Sequence, residues 1–283
     1  MSNDILVVGH GSNSPLGQIQ LKETVQLLAK RLPDRRVTFG FLELAKPDVE
    51  DALAEFIDES TKGLTVMPLV LLGATHAKSD IAGIVEMARE IYRNVEFCYA
   101  RELGVSLRLN QAFVESASKQ LPNSTVNNIS VLLVGRGSSD PDANSDLFKA
   151  GRLMSEIYKV ENVESCFISL ASPSVANALD RLARHEPHRI LIVPYFLFAG
   201  VLVDRISEQA LAWSANNPTF DLQIAGELGP NAAIVEVSIE RILEAEGNEI
   251  RMSCDRCVYR ARTHGFEHVH EQPLNVAFPK HHH

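Results

Sequence analysis

Three things are scarce in this 283-residue sequence: long apolar runs, basic charge and cysteine. Hydrophobic residues make up 45% of the chain, yet no run approaches the roughly 20 residues that a membrane-spanning helix needs, so no membrane partner is expected. The opening Met1-Ser2-Asn3-Asp4 has no basic residue and passes straight into a short apolar run. That is unlike a secretory leader, and a cytoplasmic location is the default expectation. Lys and Arg number 27 against 36 Asp and Glu, a net charge of -9. Phosphate backbones are held by clustered cations, so nucleic acid is not expected as a partner either. Only four cysteines occur. Cys98 and Cys166 fall in apolar, strand-like contexts and read as buried, reduced thiols, which leaves Cys254 and Cys257 to be explained separately.

What the sequence does contain is a duplication. Ile5-Leu6-Val7-Val8-Gly9-His10-Gly11-Ser12 recurs 126 residues later as Val131-Leu132-Leu133-Val134-Gly135-Arg136-Gly137-Ser138. At the same offset Phe41-Leu42-Glu43-Leu44-Ala45-Lys46-Pro47 matches Phe167-Ile168-Ser169-Leu170-Ala171-Ser172-Pro173, and Met67-Pro68-Leu69 matches Val193-Pro194-Tyr195. Short β-rich runs alternate with longer helical patterns in each half, the signature of a parallel sheet flanked by helices. Strands are expected near 4–9, 37–44, 64–71, 95–99, 130–135, 164–170, 189–197 and 221–225. Ser14 before Pro15, and Asp140 before Pro141, each put an N-cap residue ahead of a proline in the first helical position, and Pro47 and Pro173 read as the same device. The expected fold class is therefore α/β: two similar domains, 1–122 and 129–247, with a cleft between them. The polar stretch Leu121 to Asn128 reads as their linker. Residues 248–283, rich in Cys and His, form a separate tail with no counterpart in the repeat.

The two copies differ where chemistry is expected. In open parallel sheets ligands bind beyond the carboxyl ends of the strands, and His10, Glu43 and His76 all fall at or just after such ends. Their counterparts are Arg136, Ser169 and Leu202. Residues kept for structure should survive duplication about equally in both copies; here the apolar neighbours persist and the three polar residues do not. Two imidazoles and a carboxylate on one cleft suit a first-row divalent ion with open coordination positions.

These segments, together with Pro194-Tyr195-Phe196-Leu197-Phe198-Ala199-Gly200-Val201, resemble the CbiX family of sirohydrochlorin chelatases over about residues 4 to 245. Short members of that family carry one such unit and pair as homodimers, and long members fuse two. The resemblance implies a chelatase fold, insertion of Co2+ into sirohydrochlorin on the anaerobic cobalamin route, and catalytic histidines at His10 and His76. Family members often have His after Phe-Ala-Gly-Val. Leu202 stands there in this chain, so a single metal site is expected.

Metallating a tetrapyrrole requires the ring to lose two pyrrole protons while the ion sheds water. Neutral histidine can act as ligand or as base near neutral pH. His10 and His76 are assigned jointly to metal delivery and proton abstraction, with Glu43 as metal ligand or proton acceptor. Sirohydrochlorin is a polycarboxylate, and Arg136, Ser12, Ser138, Ser139 and Lys78 lie on loops able to bind it.

The tail carries Cys254-Asp255-Arg256-Cys257, then His264, His268, His270 and His281 to His283. Some long family members bear a similar segment linked to an iron–sulfur cluster, but two thiolates do not complete a four-iron cluster. A Cys2His2 zinc-like site from Cys254, Cys257, His264 and His268 or His270 is the rival. The last three histidines read equally as a leftover of cloning. The chelatase core is expected to be monomeric, any dimer being made through the tail. Three other functions compete: iron or nickel insertion by the same ligands; a metal-delivery protein without turnover; and a histidine phosphatase, which needs Arg before the strand-end His where this chain has Gly9.

Overall fold

The computed structural model describes residues 3–74, 76–119 and 129–247, with only the backbone described at His76 and Tyr158. The expected 121–128 linker, Cys254, Cys257, His264, His268 and His270, and His281 to His283 lie outside the described residues.

The first half runs β1 (Asp4–Gly9), α1 (Pro15–Arg31), β2 (Val37–Phe41), α2 (Val49–Phe56), β3 (Gly63–Pro68), a π-helical turn (His76–Asp80) leading into α3 (Ile81–Ile91), β4 (Glu96–Tyr99) and α4 (Leu107–Ser118). The second runs β5 (Ile129–Gly135), α5 (Pro141–Tyr158), β6 (Val163–Phe167), α6 (Val175–Ala183), β7 (Arg189–Pro194), α7 (Val201–Asn216), β8 (Asp221–Ile224) and α8 (Ala232–Glu246). Each half builds a four-stranded parallel sheet, in the orders β2-β1-β3-β4 and β6-β5-β7-β8. The expected α/β class holds.

Alternation along the central strands explains why each sheet is covered on both faces. Leu6 and Val8 pack with Val49, Leu53, Ile81 and Val85 of α2 and α3, forming an outer core. Leu132 and Val134 do the same with α6 and α7. Ile5, Val7, Val131 and Leu133 point the other way, into one continuous core shared by the halves and filled from α1, α4, α5 and α8. The last helix of each half crosses over. Helix α8 packs on β3 and β4 of the first sheet, and α4 packs on α5, where Phe113 stacks on Tyr195 at 4.6 Å between ring centroids. Thr65 Oγ1 donates to Glu246 at 2.6 Å, Arg101 Nε donates to Glu244 at 2.9 Å, and Arg241 donates to the Leu103 carbonyl at 3.1 and 3.2 Å.

The caps at Ser14 and Asp140 form as expected, accepting from Gly17 N and Asp142 N respectively. Pro47 and Pro173 are a correction. Both are cis and precede the caps, because Asp48 and Ser174 accept from Asp51 N and Asn177 N and so take the capping position themselves. The second strand of each half also ends three residues sooner than expected. After Phe41 and Phe167 the chain turns through Leu44 (φ 63°) and Leu170 (φ 58°), which no strand accommodates. Cys166 is buried, and burial pushes its thiol up to about 12. Cys98 is only half-buried, with its Sγ 3.5 Å from Asn3 Nδ2.

Candidate active site between the two sheets

Backbone geometry brings His10 and Glu43 together. Beyond the last paired residues of β1 and β2 the ladder continues, with Leu42 N donating to Gly9 O at 2.9 Å and Glu43 N to His10 O at 3.0 Å. Ile168 and Ser169 donate to Gly135 and Arg136 in the same way. The turn that follows must be glycine: Gly11 has φ 99°, and a Cβ there would lie 1.7 Å from the Glu43 carbonyl oxygen. Gly137 repeats this, at φ 87° and 1.9 Å from Ser169 O. The close approach fixes where the side chain between the two glycines emerges, His10 in one half and Arg136 in the other.

The two turns face each other across a cavity of about 690 Å³, within the usual range for a small-molecule site. Its walls are mainly apolar: Leu69, Val70, Leu71 and Leu72 after β3, and Tyr195, Phe196, Leu197 and Phe198 after β7. The expected strands run to Leu71 and Leu197; those observed end at Pro68 and Pro194 instead, and after one further ladder bond each, from Leu69 N and Tyr195 N, the chain lines the space between the sheets. Burial, and secondarily Asp146, push the Tyr195 phenol up, so it serves as wall and not as base.

Polar groups are concentrated at the strand ends. His10 Nδ1 lies 3.3 Å from Glu43 Oε1, and Arg136 Nη1 lies 3.1 Å from His10 Nε2. A guanidinium has donors only, so Nε2 accepts and the ring proton of a neutral imidazole sits on Nδ1, facing the carboxylate. Ser12 and Ser138 line the cavity. Their oxygens accept from Ser14 N and Asp140 N, both at 3.0 Å, which leaves each hydroxyl proton available to a ligand. Ser139 lines the cavity as well.

Two expected residues are not placed with this cluster. His76 opens the π-helical turn between Ala74 and Ala77, both of which line the cavity, but its side chain is not described. Among the described residues no three His, Cys, Asp or Glu side chains converge as a metal cage. Lys78 does not line the cavity. Its ammonium is buried between Asp140 at 2.7 Å and Asp142 at 3.1 Å, a bridge from the first half to the second. Two carboxylates hold it, and it tethers one half to the other. Sequence reasoning missed Gln18 and Asn144, which occupy equivalent positions 126 residues apart and line the cavity. Their amides donate to Ser12 O at 2.8 Å and Ser138 O at 2.7 Å. Continuing the repeat into the first helix would have found them.

Two duplicated sheets with an imidazole–carboxylate pair at the strand ends of one half define a class: a double α/β protein with a one-sided polar cluster over a large apolar cleft. The chain belongs to the CbiX family, whose model matches residues 4–120 and again 130–245. It is 31% identical to a sirohydrochlorin cobaltochelatase of Priestia megaterium, over 90% of this chain and 84% of the relative. It is also 31% identical to a sirohydrochlorin ferrochelatase of the same organism, over 87% and 92%. Among solved structures, SirB from Bacillus subtilis with Fe3+ superposes with a TM-score of 0.77 at 28% identity, over 88% of this chain and 97% of that one. No helix among the described residues is long and apolar enough to cross a membrane.

Proposed function

We propose that the chain is a sirohydrochlorin chelatase that inserts Co2+ into the macrocycle on the cobalamin route, using one centre in two pseudo-equivalent units, 1–122 and 129–247. The observation that carries this reading is His10, held between the Glu43 carboxylate and the Arg136 guanidinium at the edge of an apolar cleft. The apolar walls suit the faces of a tetrapyrrole, while Arg136, Ser12, Ser138 and Ser139 suit its carboxylates. His10, Glu43 and His76 are the groups that would receive the ion and take up the two pyrrole protons. A neutral imidazole beside a carboxylate accepts a proton readily, because the carboxylate stabilises the imidazolium that forms. A carrier without turnover would have no use for a cleft of about 690 Å³ beside its ligands.

Iron is the second reading, favoured by the ferrochelatase relative at the same identity as the cobaltochelatase. Nitrogen and carboxylate ligands do not by themselves select between the two ions. The test is to mix protein with sirohydrochlorin and Co2+, Fe2+ or Ni2+ in turn, without oxygen, and follow the absorption change of metallation. The expected outcome is turnover fastest with Co2+. Faster turnover with Fe2+ makes siroheme synthesis the function, and no acceleration with any ion would leave metal carriage.

A further inference from the structure

Leu44 and Leu170 occupy equivalent places in the repeat and combine two properties that leucine rarely shows together. Both stand in the left-handed region, at φ 63° and 58°, where a Cβ is unfavourable and glycine is the residue that fits. Both are also largely exposed, at 55% and 71%, so neither is there to fill a core. The turns that present them are closed on themselves, Phe41 N donating to Pro47 O at 2.8 Å and Phe167 N to Pro173 O at 2.9 Å. One exposed leucine is ordinary on any surface. A strained one present in both copies is not, since the residue before it differs, Glu43 against Ser169, and so does the second after it, Lys46 against Ser172.

Strained backbone clusters at sites where the side chain it presents is used. Both leucines line the cleft, as does Val201, itself 59% exposed. We propose that Leu44 and Leu170 are a pair of binding residues that hold the apolar ring of the tetrapyrrole, one from each half; this rests on the chelatase reading above. The occupant is the macrocycle and not a second copy of the chain, because the exposed leucines continue the apolar wall of a concave cleft, formed by Leu69 to Leu72 and Tyr195 to Phe198. The same cleft carries Arg136, Ser12 and Ser138 for the carboxylates at the ring edge. Leu44 directly follows Glu43, so a ring held there lies beside the groups that would receive the ion. Leu170 follows Ser169 in the half without those groups. The degenerate copy has thus kept its grip on the ring while losing the ligands.

The experiment titrates metal-free sirohydrochlorin into the full-length protein and follows its absorption change, for wild type, Leu44→Gly, Leu170→Gly, Leu44→Met and Leu170→Met. Melting temperature and sedimentation are measured alongside. Each Gly variant is expected to bind about tenfold more weakly, the scale of one leucine side chain returned to water, and each Met variant to bind within about threefold of wild type. The Gly variants should melt at the wild-type temperature or roughly 2 °C above it, because glycine relieves the left-handed turn. Wild-type affinity in both Gly variants overturns the assignment and leaves the chelatase reading standing. So does a fall in melting temperature, which gives the leucines to the fold, or an altered oligomeric state at unchanged affinity, which gives them to a second copy of the chain. A wild-type protein that binds no sirohydrochlorin overturns both.

Discussion

At the residue scale, the pairing of His10 with Glu43 was legible in sequence because duplication supplied a control: Ser169 occupies an equivalent backbone without a carboxylate. Glu43→Gln keeps the shape and removes the charge that stabilises an imidazolium and attracts a divalent ion. Metallation is expected to fall by about two orders of magnitude, with a rise in the Co2+ concentration needed for half-maximal rate; an unchanged Co2+ dependence would make Glu43 structural. The ion pairs of Lys78 were not legible, because a lysine near a strand end carries no sequence mark of its partners, which come from another part of the chain. Burial alone would lower its pKa, but hydrogen bonds to Asp140 and Asp142 outweigh this and raise it. A raised pKa means that its stabilising contribution is complete below the ordinary lysine value of about 10.4 and is lost only as pH climbs through the higher folded value. Lys78→Met leaves Asp140 buried without a counter-charge, and urea unfolding at pH 7 should show a loss of about 3 kcal/mol. That loss should be constant between pH 6 and pH 9, a window set by the direction of the shift. Adding Asp140→Asn should recover much of it.

At the scale of elements, strands and helices followed from apolar periodicity and caps, since those signals are local. What periodicity could not reveal is the exchange of α4 and α8 between halves, because an amphipathic helix does not say which sheet it will cover. The exchange makes neither half self-sufficient. Ile234, Val235, Val237 and Ile242 of α8 are buried in the shared core, and exposing them forfeits about 1.5–3 kcal/mol apiece, a sum comparable with the whole stability of a typical domain. A chain ending at Pro230, which keeps every strand but lacks α8, is expected to lose its cooperative thermal transition and to bind hydrophobic dyes. A sharp transition near that of the intact protein would show the shared core to be dispensable.

For the whole molecule, the repeat produces a symmetric vessel with asymmetric contents, and its second copy closes with α8. Gly247 N donates to Leu243 O at 2.9 Å, closing α8. Just before it, Glu246 accepts from Thr65 at 2.6 Å and pairs with Arg35, fastening that end to the first sheet. Both copies of the repeat, and with them both sheets and the cleft walls, lie before this point, so a chain ending at Gly247 should fold with an unchanged melting temperature. It should also metallate sirohydrochlorin at the full-length rate when Co2+ is saturating. Cys254, Cys257, His264, His268 and His270 then have room for a role only when the ion is scarce, since a tethered ligand set raises local metal concentration while bulk supply is below what it can hold. Comparing the two chains across a Co2+ titration separates the cases. Curves that diverge at low metal and merge at high metal assign the tail to supply. Loss of activity at saturating Co2+ with the fold intact makes the tail part of the active site, and the division between vessel and tail would have to be redrawn.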